Sequence, residues 1–332
     1  MCLNIQTMLF DITVAITTYN GAERVGQVLD LLQHQTGVEN ISWEIIVVDN
    51  NSSDRTAEVI QAYQQSWQGS ARLRYVFEGK QGLAYARDRA VNEADSPWVG
   101  FLDDDNLPAS NWVAAAYNFA TEHPEAGAIA SQIHGLFATE PDQELKQILF
   151  YLAITERGEK PLRYEPKQKG VPPGAGIVIR RQAWLESVPK QLLFIGRTAK
   201  SFVGAEDAEA LLHIHNHGWE IWYNPAMEIQ HVIPAWRLQR DYLTKLMRGI
   251  GLSRYYLRML LIPAWKRPLG LVIYLVNDFR KLLIYWLRNR QEISENLVIA
   301  CEFERLFGSL LSPFYTWKIR LHNYFHKSLT VN

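Results

Sequence analysis

The chain has little cysteine and no long apolar run. Its two cysteines, Cys2 and Cys301, lie near opposite ends of the 332 residues, so their spacing fits neither a disulfide framework nor a metal site. Two thiols without a framework are typical of a reducing compartment. No uninterrupted apolar run approaches the roughly 20 residues that a membrane-spanning helix needs. The first residues also lack the basic and apolar segments of a secretory leader. We therefore expect a cytoplasmic protein.

The chain also lacks low-complexity segments, internal repeats and a large net charge. Hydrophobic residues make up 48% and charged residues 21%, which excludes a largely disordered chain. The formal net charge of −1 conceals a division, because residues 234–332 carry 16 Lys and Arg against 6 Asp and Glu. Residues 1–233 carry 18 against 29. A basic C-terminal third on an acidic body favours an anionic partner for that third. We expect a membrane surface there, and no nucleic acid.

The first hundred residues alternate between strand and helix patterns. The predicted strands are DITVAITT (11–18), WEIIVVD (43–49), RLRYVF (72–77) and WVGFLD (98–103). The predicted helices are AERVGQVLDLLQHQ (22–35), NSSDRTAEVIQAY (51–63) and GLAYARDRAVNEA (82–94). This alternation predicts an α/β fold with a mostly parallel sheet flanked by helices. Ligands of such sheets bind beyond the carboxyl ends of the strands, where TTYN, DNNSSD and DDDN follow here.

The pattern is looser after residue 108. We predict helices over 109–123 and 204–219 and strands over 126–133 and 174–181. Two further short strands, EIWYNP (220–225) and MEIQHVIP (227–234), are expected before basic, aromatic-rich helices begin at about residue 237.

Three carboxylates follow one another in FLDDDN, directly after a strand predicted to be buried. Side chains alternate along a strand, so Asp103 and Asp105 point the same way if the extended conformation persists. Two carboxylates at the open end of a sheet suit Mg²⁺ or Mn²⁺. The alternative is a solvated acidic loop without a ligand.

Five segments in this order and spacing resemble family 2 glycosyltransferases of the GT-A fold. They are ITTYN (16–20), VVDNNSSD (47–54), GKQGLAYARDRA (79–90), FLDDDN (101–106) and GAEDAEALLHIHNHGW (204–219). Within that family the chain most resembles the hormogonium polysaccharide glycosyltransferases of filamentous cyanobacteria. The resemblance implies a nucleotide-sugar-binding and catalytic domain over 8–236, with a donor half (8–108) and an acceptor half (109–236). A basic amphipathic helical extension (237–332) follows.

The resemblance implies a nucleotide-sugar donor whose base lies near the first two motifs. Tyr19 would stack on the base or shape its pocket, and Thr17 and Asp49 offer polar contacts. A UDP-sugar is the favoured donor. Asn50 stands where a common family form has a second Asp, and because an amide donates as well as accepts, this departure weakens the assignment of uracil. The alternative for Thr17 and Tyr19 is packing at the end of the strand.

The segment GKQGLAYARDRA resembles the part of the family that passes the donor diphosphate. Lys80 and Arg87 would neutralise phosphate oxygens, and Gly82 would allow a close approach of the backbone. The alternative for Arg87 is a salt bridge to Asp88 or Glu93 on the same helix.

The resemblance also assigns roles to the carboxylates. Asp103 would meet the ribose or the donor sugar, with Asp104 beside it in the donor-binding set. Asp105 would bind a divalent metal, Mn²⁺ or Mg²⁺, with Asp103 as a further ligand. His231 lies where several GT-A enzymes carry a late histidine that approaches the metal, although a lone histidine beside a strand is more often structural.

Glu206 and Asp207 resemble a Glu-Asp (ED) pair of family 2, in which the Asp is the general base. We assign that role to Asp207, which would remove the acceptor hydroxyl proton, and we assign Glu206 to a donor hydroxyl. The alternative is a purely structural role, in which Glu206 and Asp207 stabilise the first turn of a helix. The expected reaction is an inverting, metal-dependent transfer from a UDP-sugar to a glycan or lipid-linked glycan. Polyprenyl phosphate as the acceptor, or a non-catalytic glycan-binding protein, are the alternatives.

The helices predicted at 237–261 and 269–290 mix aliphatic, aromatic and basic residues. This pattern is typical of helices that lie in the plane of a bilayer surface. Peripheral contact at the inner face of the plasma membrane is therefore expected. The alternative is that their apolar faces pack on the catalytic domain or on a second subunit.

Overall fold

The structure is a computed structural model that describes residues 8–198 and 201–329, with side chains described up to Tyr324. Cys2 lies outside the described residues, and Cys301 is a buried free thiol. The chain divides into two compact units. The first comprises 1–136, 153–190 and 213–232, and the second comprises 137–152, 191–212 and 233–332. The predicted division after residue 236 is a different one, because the second unit also takes two earlier segments.

The first unit begins with four parallel strands joined by helices. The strands are β1 (Ile12–Thr18), β2 (Trp43–Asp49), β3 (Arg72–Phe77) and β4 (Trp98–Asp103). The helices are α1 (Val25–Gln33), α2 (Thr56–Ser66) and α3 (Leu83–Glu93). Every residue of β1 and β2 is buried, because helices cover both faces of this half of the sheet. The strand order β3-β2-β1-β4 is the doubly wound arrangement that the alternation predicts.

The second half of the sheet begins beyond β4, which pairs antiparallel with the next strand of the sheet. Its strands are β5 (Asn106–Pro108), β6 (Ala126–Phe137), β7 (Leu162–Arg163), β8 (Val178–Arg180) and β9 (Glu220–Ile233). The nearby helices are α4 (Trp112–Glu122), α5 (Pro166–Lys169), α6 (Arg181–Ser187) and α7 (Glu206–Asn216). Within the described part of the chain, the order continues from β4 as β8-β6-β9-β5, with β7 on β9.

Two strand predictions in this half are wrong. The segments 220–225 and 227–234 form one continuous strand, β9, rather than two. Pro225 does not interrupt it: the pairs of β9 with β7, at Trp222 and Tyr223, and with β5, from Ile229, lie on either side of the proline. The strand predicted over 174–181 is shortened to β8, because Gly176 has a positive φ of 62°.

The second unit is built on three long helices. They are α8 (Arg240–Leu260), α9 (Arg267–Asn289) and α10 (Leu297–Leu329). Helices α8 and α10 cross where both carry glycine: a Cβ on Gly251 would lie 2.4 Å from the Arg305 carbonyl oxygen, and one on Gly308 would lie 2.4 Å from that of Arg248. The missing side chains therefore let the two backbones touch. No helix of the described ranges has the length and hydropathy that a membrane-spanning segment requires.

Candidate active site

The carboxyl ends of three neighbouring strands bring the predicted donor residues to one edge of the sheet. The register places Thr17 of β1 beside Asp103 of β4, and Thr18 beside Asp49 of β2. Thr17 and Asp49 are only 5% and 2% exposed. Their positions follow directly from the parallel pairing of β1 with both neighbours.

Asp103 is held by a hydroxyl and a buried cation. Its Oδ1 accepts a hydrogen bond from Thr17 Oγ1 at 3.2 Å and lies 3.6 Å from an Arg87 guanidinium nitrogen. Removal from water raises the pKa of Asp103, Arg87 acts in the opposite direction, and the neighbouring Asp105 and Asp104 raise it further. Burial is therefore the main cause of the raised pKa, and the charges around this carboxyl group act in both directions.

Asp104 has a partner that the sequence did not reveal. Its carboxylate accepts from Thr18 Oγ1 at 2.7 Å and from Arg24 Nε and Nη2, each at 2.9 Å. The hydrogen bond to Asp104 is the main cause that raises the Arg24 pKa. Gly21 makes room for this pair, since a Cβ there would lie 2.4 Å from Asp104 Oδ2. The sequence offers only Gly21 and Arg24, directly before α1, as a signal for this ion pair.

A turn rather than strand alternation sets the direction of Asp105, because the extended conformation ends at Asp103. Residues 104 and 105 form a turn, so the condition for Asp103 and Asp105 to point the same way is not met. The chain then enters β5, which pairs with β9 and sets Asn106 opposite His231. This pairing places His231 Nε2 3.6 Å from Asp105 Oδ2. The Val232 amide also donates to the Asp105 carbonyl at 2.9 Å.

Asp105 and His231 fit a divalent cation. Among the residues that the structure describes, no three His, Cys, Asp or Glu side chains cluster as a complete metal site. A carboxylate and a neutral imidazole nevertheless suit Mn²⁺ or Mg²⁺, which complete their shells with water and phosphate oxygens. Asp103 and Asp104 lie close enough to Asp105 to add negative charge to this end of the sheet.

Arg87 is buried in a cradle beside Asp103. It is 3% exposed, and its guanidinium carbon lies 5.5 Å from the centre of the Phe101 ring. A Cβ on Gly174 would lie 2.4 Å from Arg87 Nη1, so the glycine makes space for the cation. Glu93, one of its alternative partners, pairs with Arg74 and Arg89.

Asn50 fastens the loop that precedes α3. Its amide nitrogen donates to the Lys80 carbonyl oxygen at 2.7 Å, and its amide oxygen accepts from the Gly82 amide at 2.7 Å. Gly82 has a φ of 143°, a conformation that L side chains rarely adopt. Asn50 is 5% exposed, so these bonds are shielded from water. Its side chain therefore positions Lys80 and Gly82.

Tyr19, Lys80 and Asp49 differ in their surroundings. The side chains of Tyr19 and Lys80 are exposed, with Tyr19 at 44%, and the Lys80 ammonium lies 5.9 Å from the centre of the Tyr85 ring. Asp49 instead accepts from Tyr75 Oη at 2.9 Å, and burial together with this bond raises the Tyr75 pKa to about 12.

The ED pair lies in the first turn of α7, in the second unit. Glu206 is buried and Asp207 is partly exposed. Asp207 Oδ1 accepts from the Ala208 amide at 2.7 Å. Glu209, which sequence reasoning passed over, accepts from the Leu193 and Phe194 amides at 2.8 and 3.0 Å and so fixes the loop before α7.

Comparison with known proteins decides the family. The family model described as Glycosyl transferase family 2 matches residues 13–185, just over half of the chain. The chain belongs to glycosyltransferase family 2. The matched range contains every predicted donor-binding residue and ends before Glu206.

Two curated relatives each match less than half of this chain. Validoxylamine A glucosyltransferase of Streptomyces hygroscopicus subsp. jinggangensis is 27% identical over 140 residues, which are 42% of this chain and 32% of the relative. Poly(ribitol-phosphate) beta-glucosyltransferase of Bacillus spizizenii is 28% identical over 113 residues, 34% of this chain and 17% of the relative. The chain spans about a third or less of the length of these relatives.

Solved structures confirm the predicted GT-A fold. The mannosyltransferase PcManGT from Pyrobaculum calidifontis, in complex with GDP-Man and Mn²⁺, has a TM-score of 0.60 at 17% identity and covers 94% of this chain and 88% of its own. TarS 1-349 of S. aureus, in complex with UDP-GlcNAc, has a TM-score of 0.53 at 14% identity, covering 93% and 92%. At these identities the likeness shows the fold alone.

Proposed function

We propose that this protein transfers a sugar from a nucleoside diphosphate donor, with UDP favoured, to a hydroxyl group of a glycan or lipid-linked glycan. The observation that carries the proposal is the 3.6 Å approach of His231 to Asp105 beside an Asp103 carboxylate held by Thr17 and Arg87. Carboxylate, imidazole and guanidinium groups at the carboxyl edge of a sheet are suited to a metal-bound diphosphate.

Each donor residue has a distinct task in this proposal. Arg87 and Lys80 neutralise phosphate oxygens, and Gly82 admits the diphosphate close to the backbone. Asp103 and Asp104 belong to the donor-binding set, with Asp104 acting through the Arg24 pair. Tyr19 offers an exposed ring to the base, and UDP is favoured over other nucleotides because of the first two sequence motifs. The similar structures contain UDP-GlcNAc and GDP-Man, so tests must include both bases.

Asp105 and His231, with Asp103 as a further ligand, would hold Mn²⁺ or Mg²⁺. When bound, the ion offsets negative charge on the departing diphosphate. Asp207 accepts the proton of the acceptor hydroxyl as its oxygen attacks the anomeric carbon, while Glu206 orients a donor hydroxyl. Attack opposite to the leaving group inverts the anomeric configuration in a single displacement. The assignment of Glu206 and Asp207 depends on the sequence motif.

We further propose that the acceptor belongs to a cell-surface or exported polysaccharide. The support is the resemblance to hormogonium polysaccharide glycosyltransferases and the similarity to a poly(ribitol-phosphate) beta-glucosyltransferase. The catalytic domain is assigned to 8–236, and peripheral attachment to residues 237–332. The proposed location is the cytoplasm, at the inner face of the plasma membrane.

Release of nucleoside diphosphate tests this function directly. The purified chain is incubated with UDP-Glc, UDP-GlcNAc or GDP-Man, with Mn²⁺ or with EDTA, and with water, a glycan or polyprenyl phosphate as the acceptor. We expect release from one donor that EDTA suppresses and that a glycan accelerates. Acceleration only by polyprenyl phosphate would replace the acceptor class. Donor binding without release in any arm would favour a glycan-binding protein instead.

A further inference from the structure

Helix α9 turns large apolar side chains outward. Of its 23 residues only Gly270 and Asp278 are buried. Leu269 and Val276 are 64% and 62% exposed. At 3.6 residues per turn the outward apolar residues fall on one side of the helix and so form one face: Leu269, Val272, Ile273, Val276, Phe279, Leu283 and Leu287. We call these residues the α9 apolar face. A continuous exposed patch of this kind marks an interaction site.

The inward face of α9 fixes its rotation about the helix axis. Asp278 is 4% exposed and lies 2.6 Å from Arg258 Nη1 of α8. The Arg258 guanidinium also lies 4.8 Å from the centre of the Tyr274 ring. A Cβ on Gly270 would lie 2.7 Å from Ile262 Cδ1, so this glycine also faces inward. Breaking a buried ion pair is costly, so turning the apolar face inward would be strongly unfavourable.

The charge around this face indicates what covers it. Between residues 266 and 290 the chain carries six basic residues and one acid. The basic residues are Lys266, Arg267, Arg280, Lys281, Arg288 and Arg290. The one acid is Asp278, which Arg258 already neutralises. Two copies meeting through this face would oppose like charges, whereas an anionic surface would neutralise them.

Tryptophans stand near both ends of the helix. Trp265 is 77% exposed with the Lys266 ammonium 4.7 Å from its ring centre, and Trp286 is 41% exposed with Arg290 at 5.9 Å. Amphipathic rings beside cations are suited to the boundary between lipid headgroups and acyl chains.

We propose that the α9 apolar face binds the surface of a bilayer that contains anionic phospholipid, with the helix axis in the membrane plane. The apolar residues enter the acyl boundary and the basic residues contact lipid phosphates. This narrows the attachment proposed above for residues 237–332 to one helix face. It holds whichever sugar is transferred.

Vesicle flotation of the full chain tests the proposal. Binding is expected to vesicles of phosphatidylcholine with phosphatidylglycerol, and to fall with added salt. The double variant Val276→Glu and Leu283→Glu should lower the partition coefficient at least about tenfold. It places charge where the wild type would bury hydrocarbon in the acyl boundary of the bilayer. The matched control is Leu185→Glu, which alters an equally exposed leucine of α6 and should bind as the wild type does.

Three results would overturn the proposal. One is no vesicle binding by the folded wild-type chain. Another is equal binding by the double variant and the wild type. The last is a wild-type dimer in light scattering that the double variant abolishes, because this would assign the face to a second copy. Nucleotide binding measured on the same samples separates these results from a failure of the donor site. Circular dichroism verifies that the variants fold, as expected for exposed positions.

Discussion

Asp207→Asn is expected to lower kcat by about 10²- to 10⁴-fold, the usual contribution of a positioned general base. The amide keeps the shape of the side chain but cannot accept a proton from the acceptor hydroxyl. Donor binding should be unchanged, because Asp207 is assigned to the acceptor reaction. Initial rates of nucleoside diphosphate release give kcat, and calorimetry gives the donor affinity.

The competing role for Asp207 is stabilisation of the first turn of α7. Asp241→Asn is the matched control, since it removes the same charge from the first turn of α8. A helix-terminal role is worth only about 0.3–1 kcal/mol, so it would lower the midpoint of thermal unfolding in both variants alike. If Asp207→Asn retained its kcat within a factor of two, Asp207 would not be the base.

Asn50→Asp is expected to weaken donor binding and to lower the free energy of unfolding by about 1–3 kcal/mol at neutral pH, the cost of unsatisfied buried polar groups. The wild-type amide donates to the Lys80 carbonyl and accepts from the Gly82 amide. A carboxylate retains the second bond but repels the carbonyl oxygen. The loop that carries Lys80 should therefore detach, and the Kd of the donor nucleotide should rise.

The pH dependence makes this prediction specific. Burial and the facing carbonyl raise the pKa of the introduced carboxyl group in the folded state. The protonated form donates a hydrogen bond, so the variant should approach wild-type stability as pH falls and lose it as pH rises through that pKa. Asn51→Asp is the control, because it alters an exposed neighbour. If the difference in free energy of unfolding between variant and wild type did not change with pH, it would contradict the role of the Asn50 hydrogen bonds in holding the loop.

The sequence predicts the donor half of the fold well because its signals are local. Buried runs such as WEIIVVD end in polar residues, and parallel pairing then brings Thr17, Asp49 and Asp103 together without further information. The sequence carries only a weak signal for the approach of His231 to Asp105. This approach depends on the pairing of β5 with β9, whose residues lie more than a hundred positions apart.

Other features have no local signal. The ion pair of Arg24 with Asp104 joins residues 80 positions apart. The hydrogen bonds of Asn50 to the loop before α3 depend on how the end of β2 and that loop meet. The sequence alone predicts a break at Pro225, whereas β9 is continuous and has paired residues on both sides of the proline. The roles of Glu206 and Asp207 stay predictions.

Calorimetric titration with UDP, GDP and dTDP, each with and without Mn²⁺, tests the donor site most directly. We expect that one nucleotide binds only with the metal, and that Asp105→Ala lowers this affinity at least about tenfold by removing a ligand. Asp142→Ala, which removes an exposed carboxylate of the second unit, should bind as the wild type does. If the folded wild-type chain bound none of the three nucleotides with Mn²⁺, the result would contradict the proposed nucleotide-sugar donor site.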